Sequence, residues 1–161
     1  MKNRILHPAV MLAAGLLLGV SSRLLGIYTQ NLGNIFSQMA VWILMGTLIA
    51  VYSPTPRRAM ANILPFCLGM LATYYAAAAL TDGVYSRTVI AGWTAFAFCS
   101  PVLAYLTWKS RERGVLPKLI GAGVAGVSVL SSLLLFGGLR FHDLVIDAAL
   151  VYVLFFSKPK R

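Results

Sequence analysis

Long apolar stretches separated by short polar connectors dominate the hydropathy pattern of this sequence. A helix that crosses a membrane needs about 20 mainly apolar residues, and six stretches approach that length. They cover residues 5–22, 35–52, 59–80, 88–108, 119–136 and 139–157. The pattern predicts an all-α fold, a polytopic membrane protein built as a six-transmembrane-helix bundle, with one transmembrane domain over residues 1–161.

Two parts of this pattern are less regular than the rest. The connector at residues 23–34 is long and mixes apolar with polar positions, which is typical of an interfacial helix or of a partly re-entrant loop. The sixth stretch is the weakest of the spans, because Arg140, Asp143 and Asp147 lie in its first half.

Composition agrees with a membrane protein. Hydrophobic residues make up 59% of the chain, charged residues make up 11%, and the mean hydropathy is +0.80. An ordinary soluble domain has roughly 25% charged residues. These values exclude a disordered chain and a soluble globule, which could not cover so much apolar surface with so few polar groups.

The positions of the cations predict the orientation of the chain. With six spans and both termini inside, only Arg23, Arg87 and Arg140 lie outside, and the other 11 of the 14 Lys and Arg residues lie inside. Cytoplasmic connectors of membrane proteins carry such an excess of Lys and Arg. A five-span alternative would give a much weaker asymmetry, of eight to six. We therefore expect a multi-pass protein of the cell membrane of a bacterium, with the N-terminus and the C-terminus inside.

The acids fall on the opposite side. Asp82, Asp143 and Asp147 are predicted outside, and only Glu112 inside, so that the net charge of +10 faces the inner leaflet. Partners predicted from this distribution are the lipid bilayer and its anionic inner-leaflet lipids, each cation contributing about 1 kcal/mol of attraction. Nucleic acid is not expected, because the inner connectors are too short for a binding fold or for stacking aromatic side chains.

Signatures of catalysis or of metal binding are not found in the sequence. Cys67 and Cys99 are expected as reduced thiols in mid-span, without a Cys or His cluster that would hold zinc. The glycines at residues 121–126 lie inside a span and lack the ending of a phosphate loop. The sequence predicts no cofactor and no metal, and nothing in it indicates an enzyme.

Small residues at four-residue spacing predict close helix packing. In the first span they form Ala9-xxx-Ala13 and Gly15-xxx-Gly19. Such pairs allow two helix backbones to approach within a membrane. The pairs serve either internal packing of the bundle or contact with another subunit.

Two prolines lie within predicted spans. Pro65 is in the third span and Pro101 in the fourth. Each removes a backbone hydrogen bond and predicts a kink. The kinks are either tolerated bends or the means by which a cavity opens between helices.

One set of ionisable residues gathers at the predicted outer ends of the spans. Asp143 and Asp147 share a helix face with Arg140, and Asp147 lies about one turn inside the membrane boundary, where ionisable groups are rare and often functional. The alternatives are structural: ion pairing with Arg140, or Asp143 as the N-cap with Asp147 in the first turn. The candidate outer-face polar site comprises Arg23, Asp82, Arg87, Arg140, Asp143 and Asp147.

With its length, its six spans and this outer polar set, the chain resembles the S-components of energy-coupling-factor vitamin transporters. Ala9 and Ala13 match the Ala-xxx-Ala motif by which that family docks a membrane coupling subunit, and residues 23–34 fall where the family has its lid. The resemblance implies a vitamin site at the outer face and a coupling subunit that pairs with cytoplasmic ATPases. The chain is also similar to uncharacterised small polytopic bacterial membrane proteins, which implies no function.

Three hypotheses follow for the function. The first is a solute-binding subunit of a transport system, which a deep polar cavity lined by the outer residues would favour. The second is a structural or accessory membrane protein without a ligand site, which a solid core with Arg140 bridging an aspartate would favour. The third is a membrane enzyme acting on lipid, which would need a nucleophile and a base at interface depth.

Overall fold

Helices account for all the regular structure that the computed structural model describes. It describes residues 6–29, 35, 39–81, 86–136, 138 and 140–157, and these contain no strand. The helices are α1 Pro8–Tyr28, α2 Met39–Tyr52, α3 Pro56–Leu80, α4 Arg87–Lys109, α5 Val115–Phe136 and α6 Phe141–Phe155. The all-α prediction is confirmed.

Four of these helices are long and apolar enough to cross a membrane. They are α1, α3, α4 and α5, with 20 to 25 residues in the qualifying segment. The described parts of the other two are shorter, with 14 residues in α2 and 15 in α6. At 1.5 Å per residue these span about 21–23 Å, less than the roughly 30 Å of a hydrocarbon core. The lengths and compositions of four helices are therefore those of a membrane protein. Six complete crossings remain a prediction.

The first helix continues beyond its predicted end. The sequence placed a connector at residues 23–34, but Arg23 lies inside α1, which ends at Tyr28. Nothing in this segment breaks a helix, and the end is closed at Thr29, whose N–H donates to the Leu25 carbonyl over 2.9 Å. The predicted start of the connector at residue 23 is thus wrong, since residues 23–28 continue α1 as a helix, and residues 30–34 lie outside the described residues.

Two other helix starts differ from the predicted spans. Thr55 caps α3, its hydroxyl accepting from the backbone N–H of Arg58 over 3.2 Å, and Pro56 occupies the first helical position, where proline is favoured. The N-cap of α6 is Arg140, so Asp143 is the third residue of that helix and not its cap. Asp147 follows one turn later.

Helices α1 and α3 form a close parallel pair. Gly15 lies against the backbone of Phe66 and Gly19 against that of Met70, so closely that any added Cβ would overlap with these atoms. The Thr73 hydroxyl donates to the Leu16 carbonyl across the same contact over 2.8 Å. The Gly15-xxx-Gly19 pair therefore serves packing within the chain, as small residues do in membrane helix pairs.

Both internal prolines are accommodated without ending a helix. Pro65 lies inside α3 and Pro101 inside α4. Because Pro101 has no N–H, the Ala97 carbonyl loses its ordinary helical donor. The Ser100 hydroxyl donates to that carbonyl instead, over 2.6 Å.

The turn between α2 and α3 is tied to the end of α4 by one buried residue. The Ser53 carbonyl accepts from Trp108 Nε1 over 3.0 Å and from Arg111 Nη1 over 3.2 Å. Its hydroxyl donates to the Ile49 carbonyl and accepts from Asn62 Nδ2. This network closes one end of the bundle with hydrogen bonds.

Candidate functional site

The candidate outer-face residues do not form one site in the structure. Arg23 donates from Nε to the hydroxyl of Thr81 over 3.0 Å and from Nη2 to its carbonyl over 3.4 Å, which joins the ends of α1 and α3. Arg87 is exposed at the start of α4, and Asp82 lies outside the described residues. Arg140, Asp143 and Asp147 belong to α6, which has its main contacts with α2 and α5. The predicted set is thus divided between different helix pairs.

The two aspartates begin the buried face of α6. Asp143, Asp147, Leu150 and Leu154 recur at helical spacing along this face, and all four are buried. A stripe of this kind is ordinarily apolar throughout. Here its first two positions are carboxylates, with Asp143 fully buried and Asp147 8% exposed.

Serines of α5 face these carboxylates. The Ser128 hydroxyl donates to Asp147 Oδ1 over 2.6 Å. Further along the pair, a Cβ added to Gly121 would lie 3.3 Å from the ring of Phe155. The two contacts define an antiparallel register in which residue numbers rise on one helix as they fall on the other. That register brings Ser132 beside Asp143, one turn from Ser128 and Asp147.

Several oxygen atoms of this group have no hydrogen-bond partner among the described residues. They are Asp143 Oδ1, Asp147 Oδ2 and Ser132 Oγ, all fully buried. Asp143 Oδ2 accepts from the backbone N–H of Arg140 over 2.9 Å, and His142 Nε2 lies 4.0 Å from Asp143 Oδ1. We call Ser128, Ser132, Asp143 and Asp147 the α5–α6 polar cluster.

Arg140 contacts Asp143 through a backbone hydrogen bond and not through the predicted ion pair. Arg140 contacts Asp143 through its backbone N–H, as the N-cap of the helix, and the structure gives no guanidinium contact to either aspartate. The favourable position of Asp143 is instead the first turn of α6, where the helix dipole stabilises a negative charge.

A separate cavity of about 370 Å³ lies between α2, α3, α4 and α5. Its wall is almost entirely apolar, and none of the five candidate outer-face residues that the structure describes lines it. Its aromatic side chains come from three helices, namely Trp42, Phe66, Trp93 and Phe96. Thr47 and Thr107 are among the few polar residues in the wall, and both side chains are buried.

The sequence predicted a cavity only as one alternative for the two proline kinks, and it did not predict the position or the lining of this one. Its walls come from helices distant in sequence, and the aromatic residues are spaced as core residues would be. One usable signal was the glycines, since Gly46 and Gly123 both line it and Gly123 has no atom within 4 Å of an added Cβ. A second was Pro101, next to the lining residue Ser100.

The candidate contact with a partner helix lies on the exposed side of α1. Ala9 and Ala13 are exposed, and the buried positions of α1 are Met11, Gly15, Gly19 and Ser22. At 100° per residue the two alanines fall on the side opposite this buried stripe. The Ala-xxx-Ala pair is therefore not used in packing against α3.

Metal-binding groups are sparse in the described part of the chain. It contains no cluster of three or more His, Cys, Asp or Glu side chains. Cys67, which is half-buried, and Cys99, which is exposed, are free thiols.

Comparisons with known proteins do not assign the chain to a family. No family model matches the sequence, and neither a curated protein nor a solved structure was found to match it. The function must therefore be argued from the geometry of these two sites.

Proposed function

We propose that this chain is a ligand-binding membrane protein and that the ligand is an apolar or amphiphilic molecule held between α2, α3, α4 and α5. The observation that carries the proposal is the cavity of about 370 Å³ with its apolar and aromatic wall. Small-molecule sites have volumes of about 300–1,000 Å³ and combine an apolar lining with a few polar groups. Thr47 and Thr107 would supply such polar groups.

The exposure of the wall residues indicates how such a ligand would enter. Leu103, Leu106 and Val127 line the cavity and are also exposed on the outside of the bundle. They lie within helices that are long and apolar enough to cross a membrane. Exposed apolar side chains at this depth face hydrocarbon, so the ligand would enter laterally from the bilayer.

This proposal keeps the transport hypothesis but changes its ligand. A polar vitamin held by the outer residues would need those residues around a cavity, whereas the cavity is apolar and they are divided between helix pairs. We propose a solute-binding subunit for a hydrophobic solute, with Ala9 and Ala13 as the contact for a membrane coupling subunit. Their exposure on α1 supports this contact.

We further propose six crossings of the cell membrane with both termini inside. The distribution of the 14 Lys and Arg residues supports this topology. So does the parallel packing of α1 and α3, since two helices separated by one crossing must run in the same direction. The described parts of α2 and α6 are shorter than a hydrocarbon core, and local thinning of the bilayer would accommodate helices of that length.

Cavity filling tests the proposed site. The probe is cis-parinaric acid, a fluorescent fatty acid that accepts excitation energy from Trp42 and Trp93 when bound beside them. Gly123→Phe would place a ring in the cavity without backbone overlap, and we expect it to weaken probe binding about tenfold or more, which corresponds to about 1.4 kcal/mol.

Gly126→Phe is the matched control. Gly126 also has no atom within 4 Å of an added Cβ, but it does not line the cavity. Its substitution should leave probe binding unchanged. Equal binding by both variants would contradict the proposed site, and failure of the unmodified protein to bind any apolar probe would favour the structural or accessory alternative.

A further inference from the structure

The cavity between α2, α3, α4 and α5 has an uncharged wall. Among the described residues that line it there is no Lys, Arg, His, Asp or Glu. An ionised ligand would therefore be held there without a counter-ion, and a buried charge without a partner is strongly destabilised. The wall thus favours a neutral molecule over an ionised one.

Two threonines in this wall lack the hydrogen bond that threonines inside a helix ordinarily make. Thr73 and Thr94 each donate to the carbonyl four residues earlier in their helix, over 3.0 and 2.8 Å. The hydroxyls of Thr47 and Thr107 make no such bond, and neither is bonded to any other described residue. Both side chains are nevertheless buried, with 3% and 6% exposed. Because buried hydroxyls are ordinarily hydrogen-bonded, these two groups are suited to bind a molecule inside the cavity.

The two threonines lie towards the same end of the bundle. Thr47 is within the last two turns of α2, and Thr107 is within the last turn of α4. These helix ends are adjacent, because the Ser53 carbonyl, which follows α2, accepts from Trp108 Nε1 near the end of α4 over 3.0 Å. The two free hydroxyls are therefore near the end of the bundle that the Ser53 network closes.

The rest of the cavity is apolar and elongated. Its wall on α4 extends from Trp93 to Thr107, which is about 21 Å along the helix axis at 1.5 Å per residue. Trp42 and Trp93 lie in the first halves of α2 and α4, away from the ends that hold the threonines. A long apolar chain with one polar end matches this arrangement.

We propose that the ligand is a neutral lipid with an extended chain and an oxygen-bearing head, an ester or an alcohol, whose oxygen atoms accept hydrogen bonds from the hydroxyls of Thr47 and Thr107. The chain extends from this end past Trp42 and Trp93. This inference rests on the cavity being the ligand site proposed above, and it adds the chemical class of the ligand.

Competition between lipids of one chain length tests this class on the unmodified full-length protein in detergent. The fluorescent reporter is the methyl ester of cis-parinaric acid, and the competitors are methyl stearate, octadecane and stearate at pH 9, each at the same mole fraction in the micelles. We expect methyl stearate to bind about tenfold or more tightly than octadecane, because the alkane leaves both hydroxyls unpaired. Ionised stearate should bind at least about tenfold less tightly than the ester, because its charge has no partner in the wall.

The outcomes separate this proposal from the cavity proposal. Equal competition by methyl stearate and octadecane would show that no hydrogen bond to the head is made, and ionised stearate that competes as well as the ester would show that the ligand need not be neutral. Either result overturns the present proposal and leaves the cavity as a site for apolar molecules. If neither cis-parinaric acid nor its methyl ester binds, the cavity proposal fails, and this proposal fails with it.

Variants assign the preference for the ester to the two hydroxyls. Thr47→Val and Thr107→Val remove the hydroxyl at nearly constant side-chain volume, and each should weaken methyl stearate binding about fivefold while octadecane binding stays unchanged. A change of packing alone would alter the binding of both competitors. Thr94→Val is the matched control, since the Thr94 hydroxyl is bonded to the Ile90 carbonyl and the residue does not line the cavity. Full retention of the preference for the ester in both Thr47→Val and Thr107→Val would overturn the proposal.

Discussion

Ser128 of α5 and Asp147 of α6 are joined by a hydrogen bond of 2.6 Å in the buried interface between the two helices. The bond connects a serine on the buried side of α5 to the second turn of α6, one turn after Asp143. It sets the register that also brings Gly121 against the ring of Phe155. One polar contact and one close apolar contact thus fix the same antiparallel pair.

Loss of this bond should destabilise the protein. Ser128→Ala removes the donor and leaves Asp147 with one partner fewer in a buried position. Removing one partner of a buried hydrogen bond costs about 1–3 kcal/mol, and we expect a loss of about 2 kcal/mol in the free energy of unfolding, measured by titration with SDS in mixed micelles. In an Asp147→Ala background the same substitution should have little effect, because the acceptor is gone.

Ser131→Ala is the control for this experiment. Ser131 is on the same helix, and its hydroxyl donates to the Ser128 carbonyl within that helix over 2.7 Å. We expect its replacement to change the free energy of unfolding by less than about 0.5 kcal/mol. Equal losses of unfolding free energy for the two serines would show that the Ser128–Asp147 bond contributes no more to stability than the Ser131 bond does.

Because α1 and α3 pack closely at Gly15, a single methyl group added at this position should destabilise the protein. Gly15→Ala would place its Cβ against the Phe66 carbonyl, a rigid backbone group, so the helices would have to separate. Overpacking of this kind costs about 1–3 kcal/mol. Gly92→Ala on α4 meets no atom within 4 Å and should be neutral or slightly stabilising, because alanine is the better helix former. Thermal unfolding of the two variants in one detergent compares them directly.

The indole of Trp108 should contribute through its N–H as well as through its ring. Trp108→Phe removes the 3.0 Å bond to the Ser53 carbonyl and leaves that carbonyl with Arg111 as its donor. We expect a loss of about 1 kcal/mol, measured as a lower unfolding midpoint. Trp93→Phe is the comparison, because Trp93 borders the cavity and packs edge-on against Phe96. If both changes lower the midpoint equally, the N–H of Trp108 is not the cause.

Cysteine labelling can test the proposed topology. In a background with Cys67 and Cys99 replaced by alanine, Phe141→Cys should react with an impermeant thiol reagent added to intact cells, and Glu112→Cys should react only after the cells are opened. Both positions are exposed beside helix ends and carry no capping side chain. They avoid Gly114 and Gly138, whose positive φ angles disfavour other residues. Reaction of Glu112→Cys from outside would contradict six spans with both termini inside.

The two native thiols provide an internal probe of the cavity. Cys67 lines it, whereas Cys99 is exposed and does not. A small apolar maleimide should label both in detergent, and Gly123→Phe should slow labelling of Cys67 severalfold while leaving Cys99 unchanged. Quantitative mass spectrometry of the two peptides measures the ratio. An unchanged ratio would mean that residue 123 does not control access to Cys67.

The sequence by itself was sufficient for the helical, membrane-like character of the protein. That character depends on composition and on the length of apolar stretches, which are local properties. The spans at residues 88–108 and 59–80 agree with α4 and α3 to within a few residues for this reason. The end of α1 was predicted too early, because the mixed polar and apolar positions after Ser22 resembled a connector although none of residues 23–28 ends the helix. The contact of Arg23 with Thr81, 58 residues away, could not be read from the sequence.

The sites depended on tertiary structure, because contacts between helices determine which polar residues meet. The sequence grouped Arg23, Arg87 and Arg140 with the aspartates because all were predicted on the same side of the membrane. Residues on the same side need not lie in contact with one another. The packing of α6 on α5 and α2 turned Asp143 and Asp147 toward Ser128 and Ser132, which no spacing rule within one helix could reveal. The cavity likewise exists only where four helices leave space between them. The glycines and the proline near it are compatible with such a space, but its position and its lining depend on how the four helices pack.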